Sequence, residues 1–346
     1  MEQLIGILYH SIGGFSSASF YVPYSRVRQW AWGTYWIVLG FVAWMIMPTV
    51  GGLLTTPDLW RILEEASAHN KAMTYFYGFL WGFGGLLSGL GLRYLGLSLG
   101  QSISLGVSAI VGTIVPAILS NKFYLLYSTV SGGIILMGFL ICIAGITCCG
   151  YAGMLKDKHL SDEEKQYSVK EFSALKGFTV AVLGGVFSAC MALAIHAGRS
   201  IADAAADQGT ASVFVNIPIF VLALSGGFSS NAIYNLITSI RNRTFGDYSI
   251  RPRRVLYRNY ALATLSGLMW YGQFFFYGMG ATKMGDYEFA SWSIHMSSII
   301  IFSNLWGISL GEWKLVDRRT SWCLWIGIAL LISSVLIIGW GNHMGD

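Results

Sequence analysis

The sequence predicts an all-α polytopic membrane protein, with ten transmembrane helices arranged as two inverted five-helix repeats. Three observations predict it. Ten apolar stretches of roughly twenty residues run along the chain, the length a helix needs to cross a bilayer. Charged residues make up 11% against 54% hydrophobic, with a mean hydropathy of +0.57; a soluble domain carries about 25% charged residues. Finally, two Gly-rich patterns of the first half recur in the second.

Span 1, at 4–22, starts without the basic residues of a cleavable signal peptide and is expected to be retained. Spans 2 and 3 follow at 33–54 and 73–91, and span 4 at 99–120 opens with Gln101, Ser102 and Ser104. Span 5 covers 132–154. The long charged insert that follows divides the chain into a first repeat (1–155), a cytoplasmic linker (156–175) and a second repeat (176–346). Spans 6 to 10 lie at 176–198, 212–238, 256–280, 287–310 and 321–341. Each is too apolar all round for a surface helix, and backbone polar groups in lipid must bond within the segment. The 42 glycines suit closely packed membrane helices.

The repeat rests on two correspondences. Gly13-Gly14-Phe15-Ser16-Ser17-Ala18 in span 1 matches Gly184-Gly185-Val186-Phe187-Ser188-Ala189 in span 6. Trp81 precedes Gly89, Gly91 and Gly96 by 8, 10 and 15 residues, and Trp270 precedes Gly278, Gly280 and Gly285 by the same intervals. Five helices per repeat force the halves to insert with opposite topology, an architecture of carriers whose site lies at mid-membrane. The loops after odd-numbered spans hold 17 Lys and Arg, the others 5. The positive-inside rule then puts the odd loops in the cytoplasm and both termini outside.

His10 in span 1 and His295 in span 9 are ionisable groups inside apolar stretches, where their cost suggests a task. Histidine titrates near neutral pH and can carry a proton as access alternates, although a neutral packing role is the competing reading. Glu288, Trp292 and His295 are spaced by four and three residues, which places all three on one face of a continuous helix. Trp81, Trp270 and Trp292 offer flat rings to the C–H faces of a sugar, and Gln101 and Gln273 offer amides to its hydroxyls. Gly89, Gly91, Gly278 and Gly280 are expected to permit close packing or bending. The cysteines show no CxxC or Cys/His spacing, and there is no Walker A run, HExxH or complete GxGxxG. No catalytic residue, cofactor, metal or nucleic-acid partner is expected.

Particular runs resemble the bacterial L-rhamnose–proton symporters of the drug/metabolite transporter superfamily. They are Gly267 through Tyr277 (GLMWYGQFFFY), Ser291 through Met296 (SWSIHM), Tyr9-His10 leading to Phe20-Tyr21-Val22-Pro23-Tyr24, Arg93-Tyr94-Leu95-Gly96, and Phe187 through Met191. The similarity extends over nearly the whole chain. It implies a ten-helix carrier of the bacterial inner membrane that imports a deoxy-sugar with a proton, with His10, Glu288 and His295 at the family's histidine, acidic and histidine positions. His196 and Gly272 depart from the pattern and leave the exact sugar open. The partners so implied are a small sugar, protons and membrane lipids. Many superfamily members have cytoplasmic termini, but the charge bias of this chain favours the opposite. Competing readings are a metabolite or drug exporter on the same scaffold, a membrane enzyme acting on lipid-linked sugars, and a sugar sensor.

Overall fold

The computed structural model describes residues 2–95, 97–158, 174–314 and 316–345, and every regular element among them is a helix. Most of the predicted linker therefore lies outside the described residues. Ten helices have eighteen residues or more. They are α1 (Glu2–Ser19), α2 (Trp32–Thr55), α3 (Ala68–Leu95), α4 (Leu97–Leu119), α5 (Val130–Lys158), α6 (Ala174–Ala197), α7 (Ile217–Asn242), α8 (Arg253–Ala281), α9 (Ser291–Ser309) and α10 (Arg318–His343). Short helices such as Leu59–Glu65 and Arg199–Asp207 connect them.

Six segments, overlapping α2, α4, α5, α6, α7 and α10, are long and apolar enough to cross a membrane. Only 39 to 50% of each of their apolar windows is buried inside the protein. The remainder turns side chains such as Leu140, Ile237, Trp322 and Leu336 outward. An apolar belt of that extent suits lipid rather than water.

Two local features interrupt the regular helices. In α2, Pro48 lacks the N–H that would bond to the Trp44 carbonyl and crowds that oxygen. The helix widens there into a π segment, Val42–Ile46, with Met47 N donating to Val42 O. Before α9, Gly285 adopts φ +51°, a left-handed conformation that glycine takes without steric cost. The chain then runs through a 3-10 turn, Gly285–Ala290, with Tyr287 at φ −100° and ψ 27°. The helix predicted from 287 thus begins at Ser291. Glu288 precedes it, so the shared helical face expected for Glu288, Trp292 and His295 does not form.

The most extensive helix pairings follow a simple rule. α3 packs on α6 and α7, as α8 packs on α1 and α2; α4 packs on α6 and α5, as α9 packs on α1 and α10. The pairs α2–α7, α4–α9 and α5–α10 join the halves directly. Both termini lie at one end. There His343 Nδ1 is 3.2 Å from Gln3 Oε1, and Lys283 pairs with Glu2. The opposite end is tied by Trp306 Nε1 donating to Ser19 Oγ (2.9 Å), Asn259 Nδ2 donating to Arg28 O (2.6 Å), and the Lys156–Glu312 ion pair (3.3 Å).

Candidate functional site

α1 and α9 bring the two sequence-predicted histidines together. The ring centroids of His10 and His295 are 6.0 Å apart in an edge-on arrangement, and both residues are fully buried. None of their four ring nitrogens has a hydrogen-bond partner among the described residues; the His295 ring faces the backbone of His10 without reaching bonding geometry. An unpaired buried polar group costs about 1–3 kcal/mol. The pair is therefore an open demand for a proton, a hydroxyl or a water.

Glycine makes room for these rings. A Cβ on Gly280 of α8 would lie 2.8 Å from His10 Cε1, and one on Gly13 would lie 3.1 Å from His295 Cε1. A Cβ on Gly112 of α4 would lie 2.6 Å from Trp292 Nε1. The other half contains the same notch with a different occupant. Ala181 stands three residues before Gly184-Gly185, as His10 does before Gly13-Gly14, and it meets Gly91 as His10 meets Gly280.

A cavity of about 530 Å³ opens at the end that carries the termini. Pro116, Ser120 and Lys122 line it from the end of α4, and Ala192, Ile195, His196 and Arg199 from α6 and the turn after it. Asn216, Tyr277, Asp286, Glu288 and Phe289 complete the wall. Lys122–Asp286 and Arg199–Glu288 ion pairs, each 2.7 Å, cross its mouth. The nearby Glu288 carboxylate raises the pKa of Arg199 above its ordinary value, so the guanidinium stays charged. At the inner wall, Asn216 Nδ2 donates to Gly278 O (3.1 Å), fixing α7 to α8 beside Tyr277.

The Tyr277 ring stands between this cavity and the histidines. Its centroid is 5.2 Å from that of His10, 5.3 Å from His295 and 5.7 Å from Trp292. Trp292 is itself buried, with Nε1 donating to Ser108 O (3.1 Å). Two walls of different character thus meet at one phenol ring.

Other predicted residues fall elsewhere. Glu288 lines the cavity as half of an ion pair. Trp81 and Trp270, equivalent in the two halves, touch each other at 5.6 Å, and both meet Trp44 of the π segment, at 5.9 and 5.1 Å. Gln273 is buried on α8. The side chain of Gln101 lies outside the described residues. Three of the four singled-out glycines make close approaches: Gly91 to Ala181, Gly278 to Phe220 and Gly280 to His10. A Cβ on Gly89 would meet nothing within 4 Å, so close packing is not its role.

Sequence reasoning missed Tyr277, Asn216, Arg199 and Trp44. Tyr277 ends a run of aromatics in which nothing marks one ring above another. Arg199 and Lys122 stood out only as two of the five basic residues in the sparsely charged loops.

Comparison with known proteins points one way. The family model described as L-rhamnose-proton symport protein (RhaT) matches residues 2–344. A protein of Cronobacter sakazakii named L-rhamnose-proton symporter is 36% identical over 341 residues, 97% of each chain. Proteins of the same name from Yersinia pestis and Yersinia pseudotuberculosis are 34% identical over 342 residues, 98% of each chain.

Proposed function

The chain belongs to the L-rhamnose-proton symport protein family, and from that membership we propose that it imports L-rhamnose, or a closely similar 6-deoxyhexose, with a proton across the bacterial inner membrane by alternating access. The family is one of symport transporters, not enzymes. A proton falling through 100 mV releases about 2.3 kcal/mol, enough at about 1.4 kcal/mol per decade to concentrate a sugar roughly fiftyfold.

The ten long helices would all span, in two inverted five-helix repeats with periplasmic termini. Supporting this, exchanging each helix for the one five places further on carries the pairings named above onto one another, the α3–α4 contact being the exception. The matching notches of Gly280 with His10 and Gly91 with Ala181 support it as well. So does the contact of Trp81 with Trp270, because equivalent residues can touch only beside the axis that relates the halves. With 17 of 22 basic residues in the odd loops, the cavity would open to the periplasm.

Sugar would enter past the ion pairs and lay its C–H face and methyl group against Tyr277, Ile195 and Phe289. Its hydroxyls would meet His196, Asn216 and Arg199. The inner contacts would be His10, His295 and Trp292, with Trp81, Gln101, Trp270 and Gln273 shaping the route beyond as access alternates. Proton handling would fall to His10, His295 and Glu288. The observation that carries the coupling is the pair of buried imidazoles without partners one ring behind the cavity.

Radiolabelled L-rhamnose uptake into proteoliposomes tests the reading. An inward proton gradient should drive accumulation, and His295→Ala should abolish it. Accumulation by His295→Ala equal to that of the unaltered protein would remove the imidazole from coupling. Absence of any rhamnose-dependent flux would remove the substrate.

A further inference from the structure

We propose that the ring of Tyr277 is the partition that keeps the histidine pair from the cavity, and that its displacement by arriving sugar is what joins proton binding to sugar binding. The proposal rests on the symport reading above and names the side chain that enforces coupling.

Three observations meet at this ring. Tyr277 lines the cavity, yet it is only 5% exposed, so nearly all of its surface is spent on neighbours behind it. Those neighbours are His10, His295 and Trp292, at centroid distances of 5.2, 5.3 and 5.7 Å. Both imidazole residues are 0% accessible, and none of their four ring nitrogens has a partner among the described residues. A cavity of about 530 Å³ lies on the other side of Tyr277, yet both imidazoles are inaccessible from it. One ring closes the way.

The rest of the wall is poorly suited to moving. Trp292 is anchored by its bond to Ser108 O, and the α8 backbone is held to α7 through Asn216 and Gly278 O. Tyr277 borders the cavity, which is the space its ring would enter on displacement. A sugar hydroxyl and a proton then reach the same two imidazoles by the same opening. Proton binding without sugar becomes a leak once the proton-loaded carrier turns over, and a partition released only by sugar keeps that state from forming. The ring does this, and the hydroxyl is secondary.

The test uses carbethoxylation by diethyl pyrocarbonate, measured peptide by peptide without sugar or gradient. His196, on the cavity wall, serves as the internal reference. In the unaltered protein and in Tyr277→Phe, His10 and His295 should react at least tenfold more slowly than His196. In Tyr277→Ala they should approach its rate. Proteoliposomes holding a pH-sensitive dye should show a sugar-independent proton leak with Tyr277→Ala and none with Tyr277→Phe, so that the effect follows the ring and not its hydroxyl. Rapid modification of both histidines in the unaltered protein overturns the proposal without needing any variant to fold. So does continued protection in a folded Tyr277→Ala. Labelling is independent of transport: exposed histidines in Tyr277→Ala together with no rhamnose flux in the unaltered protein would retain the partition and discard the symport reading.

Discussion

A hydrogen at Gly280 is what lets the His10 imidazole lie against the α8 backbone, since a Cβ there would come within 2.8 Å of the ring. Overpacking a tight contact typically costs about 1–3 kcal/mol, and here the group displaced is the proposed proton carrier. Gly280→Ala should therefore reduce proton-driven accumulation at least tenfold. The equivalent Gly91→Ala, whose Cβ would meet Ala181 at its Cβ (3.1 Å) and Cα (3.2 Å) with no imidazole beside it, should cost much less transport at similar thermal stability. Parallel uptake and melting measurements decide it; equal transport losses would mean that the notch serves packing alone. At this scale the sequence was informative wherever chemistry conflicted with surroundings. His10 and His295 are conspicuous because imidazoles are rare company for Leu and Ile, and the structure puts their rings side by side. Tyr277 had no such contrast, and Glu288 was misplaced because the turn at Gly285 cannot be read from helical spacing.

The helices themselves follow from length and apolarity, so their positions were legible within a few residues, while their interruptions were not. The π segment of α2 swings Trp44 into contact with both Trp81 and Trp270, so three helices share one aromatic joint. Trp270 is 8% exposed and also meets Phe274 at 5.4 Å. Removing such a side chain leaves a cavity as well as losing transfer energy, about 3–5 kcal/mol in total. Trp270→Ala should accordingly lower the unfolding temperature in detergent sharply. Retention of stability with a selective loss of rhamnose affinity would instead make the ring a sugar contact. Periodicity could place Trp81 and Trp270 in equivalent positions; it could not reveal that they touch, because that depends on how the halves interleave.

For the whole molecule, the internal match of Trp and Gly spacings is what suggests a repeat, and the loop charges are what suggest an orientation. A reporter fused after Asp346 should be active only in the periplasm; cytoplasmic activity would turn the cavity to face the cell interior. The proposed topology also sets a depth for the histidine pair. At 1.5 Å per residue, His10 lies about 12 Å from the start of α1 and His295 about 6 Å from the start of α9. Were both helices to begin at one face of a hydrocarbon layer about 30 Å thick, a proton entering from the termini end would cross roughly a fifth to two fifths of the electric field before it is held, about 0.5–0.9 kcal/mol per 100 mV. Most of the voltage would then be left for the rearrangement that follows, and the membrane potential would act chiefly as a motor on the turnover of the loaded carrier and only weakly as a pump of protons into its mouth.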